Sequence, residues 1–173
     1  PEYFGGTESY NGTNWTTVNP LNTARSSAAV FGLNPATICA GGYNGTTPVN
    51  NVESYNGTNW TAVNTLNTAR NSLFGAGTAP AAVVAGGSPS SPAATELWNG
   101  TNWTEVNDLN SARYGLSGAG TSTEAVAFAG SPEPAGVDLT ESWNGTNWTE
   151  VNDLNTARVY IGGLGASAPS ALA

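Results

Sequence analysis

The chain has no histidine, no lysine and no methionine, a single cysteine, and charges on only 9% of its residues. Each absence closes a class of chemistry. Without histidine there is no Ser-His-Asp triad, no imidazole general base, and no ligand set for most zinc or copper sites. Without lysine the only cations are Arg25, Arg70, Arg113 and Arg158, set against 12 acidic residues for a net charge of −8. Neutralising a phosphate backbone or docking on an anionic membrane takes a cluster of basic residues, so neither nucleic acid nor membrane is an expected partner. Cys39 has no second thiol to pair with and lies in the apolar run Ala36-Thr-Ile-Cys-Ala40, where it reads as a small buried hydrophobe. No stretch approaches the ~20 apolar residues of a membrane-spanning helix. There is also no initiating methionine or signal peptide, as expected of a piece of a longer chain or a processed product. No cofactor and no metal are expected.

What is present is repetition. The hexapeptide Asn-Gly-Thr-Asn-Trp-Thr occurs four times, beginning at Asn11, Asn56, Asn99 and Asn144. Each copy follows a glutamate (Glu8, Glu53, Glu96, Glu141) and leads into Val-Asn-x-Leu-Asn-Thr/Ser-Ala-Arg, which ends at the four arginines. The tryptophans Trp15, Trp60, Trp103 and Trp148 are 45, 43 and 45 residues apart. That period is in the range of four-stranded propeller blades, in which each unit buries its apolar face only against its neighbours.

Within a unit, residues 26–33 alternate small and apolar groups, Asn34-Pro35 punctuates, and a second apolar run, Ala36 to Ala40, ends in Gly41-Gly42. That pattern predicts two adjacent strands. A loop of variable length follows (43–51, 88–94 and 131–138), and then β-rich segments 52–55 and 58–63 flank Asn56-Gly57. Asn-Gly in that setting predicts a type I′ hairpin with positive φ at both central positions. Each unit reads as a four-stranded antiparallel meander whose inner strand opens at the arginine. The chain reads as all-β: no 3.6-residue period survives, and 22 glycines with 10 prolines would interrupt one. The units fall at 25–69, 70–112 and 113–158, with 1–24 and 159–173 as a split fourth. Residues 1–10 match 132–142 and residues 168–173 match 79–85, so the two ends are expected to complete one blade and close a ring, or to belong to a larger one. The glycine pair is expected to allow close backbone approach, and the tryptophans to fill the space between blades.

Glutamate and arginine anchors occur in equal number. A buried arginine is tolerated when paired and hydrogen-bonded, so Glu/Arg pairing within or between blades is the expected arrangement. The alternative is a ring of arginines holding an anion in a central channel.

These anchors resemble the kelch repeat: an apolar strand closed by a glycine pair, an aromatic after a Glu-x step, a tryptophan a few residues on, and an arginine opening the next unit. Gly41-Gly42, Tyr55 and Trp60 have that spacing, as do Gly86-Gly87, Trp98 and Trp103, whereas Ala129-Gly130 has lost one glycine and Asn-Gly stands where kelch units carry an Asp-Pro-type turn. The resemblance implies a kelch-like β-propeller of four units of about 44 residues. The phrase at 140–158 is similar to repeat arrays in structural and tail-fibre-like proteins of marine bacteriophages, notably cyanophages. That likeness implies a virion component, in a fibre, an appendage or a capsid decoration, whose partners are other virion proteins, further copies of itself, or a host surface glycan.

Paired carboxylates are the one catalytic route left open. The candidates are Glu105 with Asp108, Glu150 with Asp153, Glu124, Glu133 and Asp138. They vary between repeats and read as isolated solvated acids, so no catalytic residue is assigned. The loop 133–138 lacks the carboxylate density of a calcium motif. Of nine Asn-x-Thr sequons, eight lie in the hairpin repeat, where turn chemistry already accounts for them. Recognition is expected in the variable loops, through Tyr43, Asn44, Ser88, Ser90, Glu133 and Asp138, because a scaffold can vary its loops without disturbing its core. Two functions compete: a non-catalytic virion module, or a secreted lectin-like or carbohydrate-active protein.

Overall fold

The computed structural model describes residues 5–89, 93–132 and 135–173. Strands β1 (Thr7–Tyr10) and β2 (Trp15–Val18) form a two-stranded hairpin. The next four, β3 (Ala29–Leu33), β4 (Ala36–Ala40), β5 (Val52–Tyr55) and β6 (Trp60–Val63), form an antiparallel meander in chain order. Then come the two-residue β7 (Arg70–Asn71), β8 (Phe74–Thr78), β9 (Ala81–Ala85), the two-residue β10 (Ser88–Pro89), β11 (Thr95–Trp98) and β12 (Trp103–Val106). Here β8, β9, β11 and β12 make the second meander, and β7 pairs with β10. A third meander consists of β13 (Ser117–Gly120), β14 (Ala125–Phe128), β15 (Thr140–Trp143) and β16 (Trp148–Val151). The protein is therefore all-β, with three four-stranded antiparallel sheets among the described residues. Among the described residues there is no α-helix, and a single 3-10 turn, Ala168–Ser170, lies near the C-terminus.

The outer hairpins are in one register throughout. Tyr10 faces Trp15, Tyr55 faces Trp60, Trp98 faces Trp103 and Trp143 faces Trp148, with ring centroids 5.2, 5.1, 5.1 and 5.2 Å apart. The turn is not the two-residue type I′ form. Four residues lie between each paired strand end, and among the Asn-Gly positions only the glycines have positive φ (95°, 94°, 90° and 90° for Gly12, Gly57, Gly100 and Gly145). The asparagine side chain is the reason: Asn56 Oδ1 accepts from the N–H of Thr58 and Asn59 at 3.0 and 2.9 Å, closing the loop from inside.

Nor do the arginines open the inner strands, which begin at Ala29, Phe74 and Ser117, four residues further on. Between them, Ser27, Ser72 and Gly115 take φ of 54°, 54° and 63°, as does Tyr160 at 55°. Side-chain-bearing residues seldom sit there. A backbone chain of hydrogen bonds holds the turns: Ser72 N–H donates to Ser27 C=O, Gly115 to Ser72 and Tyr160 to Gly115, each at 2.8 Å. The glycine pair adds a second clip between units. Gly42 N–H donates to Arg70 C=O at 2.9 Å, and a Cβ on Gly41 would lie 2.6 Å from that same oxygen. Ala129 holds the equivalent position in the third sheet and keeps the left-handed backbone, with φ 60°.

The core lies between sheets. One cluster joins Phe31, Ile38 and Val52 of the first sheet to Val84, Trp98 and Trp103 of the second, and another joins Phe74 and Val83 of the second to Trp143 and Trp148 of the third. Closest approach occurs at inner-strand glycines. A Cβ on Gly75 would meet the Phe31 ring at 2.6 Å, and one on Gly118 would meet the Phe74 ring at 2.7 Å. Phenylalanine over glycine is thus a packing device that the repeat comparison did not single out.

Candidate functional site

The invariant residues assemble into one buried lock, formed three times. Arg25 donates to Glu53 at 2.5 Å, Arg70 to Glu96 at 2.8 Å and Arg113 to Glu141 at 3.0 Å. The three pairs are almost wholly buried, with arginine exposures of 6%, 0% and 0%. Each guanidinium also satisfies carbonyls: Arg70 Nη1 donates to Gly86 and Ala94, and Arg113 Nη1 to Ala129 and Leu139. The second carboxylate oxygen is taken by an asparagine using both its backbone N–H and its amide, Asn22 on Glu53, Asn67 on Glu96 and Asn110 on Glu141. The same amides reach the carbonyls of Trp60, Trp103 and Trp148.

Electrostatics follow from that burial. Loss of water pulls the Arg70 and Arg113 guanidinium groups below the usual arginine range, opposed by Glu96 and Glu141. At Glu53 burial works to raise the carboxyl, but hydrogen bonds from Arg25, Asn22 and Thr23 outweigh it and hold the group below the ordinary carboxylate range. Burial pushes the Cys39 thiol up, so it packs as a protonated hydrophobe while its carbonyl accepts from Arg25.

A second set of contacts links neighbouring hairpins. Asn19, Asn64 and Asn107 donate to Asn59, Asn102 and Asn147 at 2.7, 2.8 and 2.7 Å. Both asparagines of Val-Asn-x-Leu-Asn are therefore structural, a role missed from the sequence although their presence in every copy was the signal. The tryptophan indoles complete the pattern, Trp60 donating to Thr7 at 3.2 Å and Trp148 to Thr95 at 3.0 Å. Trp103 has no such partner, because the equivalent position is Val52. Val52→Thr is therefore expected to raise stability by about 0.5–1.5 kcal/mol by satisfying a buried donor, read from the midpoint of denaturant unfolding.

The fourth copy differs. Glu8 and Arg158 are exposed and are not joined by an ion pair, and Trp15 is 66% exposed, where Trp60, Trp103 and Trp148 are 9%, 6% and 6%. In three copies the glutamate and arginine lie on adjoining segments of one meander; Glu8 and Arg158 come from opposite ends of the chain, and no strand pairing joins those ends among the described residues.

The expected recognition residues fall in different settings. Tyr43 and Ser88 begin their loops and pair with Ser26 and Asn71. Asn44 is exposed and caps its own loop, accepting from Thr46 and Thr47 at 2.9 Å. Asp138 accepts from Leu154 N–H through its backbone carbonyl. Ser90 and Glu133 lie outside the described residues. Among the catalytic candidates, Asp108 and Asp153 accept the strand N–H groups of Thr95 and Thr140 at 3.2 and 3.0 Å, while Glu105, Glu124 and Glu150 are exposed.

A cavity of about 390 Å³ runs between the inner strands and is lined by segments of β3, β8, β13 and residues 163–166. Its walls are Gly, Ala, Val, Leu, Phe and Thr, with no charged side chain. The anion-binding alternative fails here because Arg25, Arg70 and Arg113 turn into the sheets to meet their glutamates. The chain matches no protein-family model and no curated protein.

Proposed function

We propose that this chain is a non-catalytic structural and interaction module, an array of kelch-like propeller blades serving in a virion fibre, appendage or capsid decoration. The observation that carries the reading is the fate of the repeated charges. Every assembled Arg/Glu pair is spent on holding a sheet together and Asp108 and Asp153 each accept a strand N–H, so the repeated charges that are buried serve the scaffold, while Glu105 and Glu150 stand exposed. The loops such as 43–51 vary in length and sequence between units, and the exposed tip around Asn44 offers neutral hydrogen-bonding groups suited to a host surface glycan or to another protein of the particle. The location that goes with this reading is the particle surface.

A secreted or cell-surface lectin-like or carbohydrate-active protein is the competing assignment, and the engagement of Asp108 and Asp153 weighs against hydrolysis. The test exchanges the loops 43–51, 88–94 and 131–138 for the shortest of the three. Assembly into the parent particle or adhesion to host surfaces is expected to fall while folding is retained. Unchanged assembly and adhesion, together with a glycan-hydrolysing activity abolished by Glu105→Gln with Asp108→Asn, would replace this reading with the enzymatic one.

A further inference from the structure

Five Asn-Gly steps fold into one and the same loop. Asn11, Asn56, Asn99 and Asn144 stand at the hairpin tips, and Asn44 heads the variable loop 43–51, outside the hairpin repeat. In each, Oδ1 accepts the N–H groups of the residues two and three further on, at 2.8–3.0 Å. The asparagine N–H closes the loop on the carbonyl three residues ahead at 3.1–3.2 Å, and the glycine has φ between 90° and 98°. All five asparagines are exposed, and the glycine N–H donates to nothing among the described residues. Beyond closing the turn, these bonds prepare the amide for attack by its own backbone. An Oδ1 that reaches the N–H two residues on folds the side chain forward over the glycine peptide, which brings Cγ to the side of the glycine nitrogen. That nitrogen has no Cβ beside it to shield it and no acceptor holding its proton. The two N–H groups aimed at Oδ1 are placed as the donors of an oxyanion hole are, on the oxygen where charge would develop.

We propose that these tips are sites of self-modification, at which the chain converts asparagine to aspartate by way of a cyclic imide. Hydroxide takes the glycine N–H proton, and the nitrogen attacks Cγ to give a tetrahedral carbon whose oxyanion is Oδ1. Collapse breaks the bond from Cγ to Nδ2, which takes a proton from water and leaves as ammonia. The five-membered imide then adds water at one of its two carbonyls. Addition at Cγ breaks the bond just made and leaves aspartate in an unaltered backbone. Addition at the main-chain carbonyl leaves isoaspartate, with the chain rerouted through Cγ. The loop N–H groups stay on Oδ1 and polarise the Cγ carbonyl, so aspartate is the favoured product. As a carboxylate it accepts the same two bonds more strongly, and each conversion adds one negative charge to a chain whose net charge is already −8. The chemistry is independent of what the loops bind.

The experiment incubates the full folded chain in mildly alkaline buffer beside a free peptide of residues 54–61, in which nothing holds the loop closed. Intact mass and a peptide map with isoaspartate labelling follow both, and circular dichroism confirms that the chain stays folded. Each event is expected to add the mass of one amide-to-acid conversion, at the Asn-Gly positions, no more slowly than in the peptide and with a larger share of aspartate over isoaspartate. Asn59 and Asn102, exposed in the same loops but followed by tryptophan, should remain amides and serve as internal controls. Tips that react more slowly in the folded chain than in the peptide would overturn the proposal, because the bonds to Oδ1 would then be locking the amide rather than activating it. So would isoaspartate in the proportion the peptide yields, which would mean that the loop N–H groups do not direct water to Cγ. Equal conversion at Asn59 and Asn102 would overturn it as well, since exposure alone would then account for the reaction.

Discussion

Arg70→Ala is expected to cost about 3–5 kcal/mol of folding free energy, because it strands the Glu96 carboxylate at 1% exposure with its main cationic partner gone. Ion pairs in cores can sometimes be replaced by apolar residues at no loss, but this one is not an isolated pair. Arg70 also satisfies the carbonyls of Gly86 and Ala94, and Glu96 holds Asn67, so an apolar substitute leaves several buried groups unbonded. Equilibrium denaturation in urea measures the loss. A change below about 1 kcal/mol, the range of surface pairs, would mean that the lock is open to water in solution.

Trp143→Ala is expected to cost about 3–5 kcal/mol as well, by a different mechanism. Its side chain is completely buried in the cluster between the second and third sheets, its ring lies against Trp148, and its indole N–H donates to Ser122 C=O at 2.9 Å. Truncation removes the largest fully buried side chain among the described residues, leaves a cavity between the two sheets, and orphans a carbonyl. Trp143→Phe, which keeps most of the ring but not the donor, should recover more than half of the loss in the same denaturation assay. If Trp143→Ala loses less than about 1 kcal/mol, the two sheets do not pack as described.

Strand order and hairpin positions could be read directly, since β-rich segments alternating with Asn-Gly and Gly-Gly leave little choice of local structure. Pairing of the repeat arginines with the repeat glutamates was legible from their equal number, but that Arg70 meets Glu96 of its own unit was not. Other features depended on geometry that no local pattern carries. The type I′ expectation failed because Asn56 Oδ1 competes for the loop N–H groups, and that bond depends on where the side chain turns. The identity of Asn67 as the second ligand of Glu96 was hidden by a sequence separation of 29.

The repeat by itself determined that this protein is built from antiparallel sheets carrying a tryptophan and a glutamate at fixed positions in each hairpin copy, because period, turn residues and charge balance act over a few residues and are the same in every copy. Only the tertiary structure decided which copies are complete. Arg25, Arg70 and Arg113 are buried because a neighbouring strand brings a glutamate to them, whereas Arg158 has an identical local sequence and stands exposed. A residue's desolvation is set by what packs over it, and that is decided by tertiary contacts, not by the residues on either side.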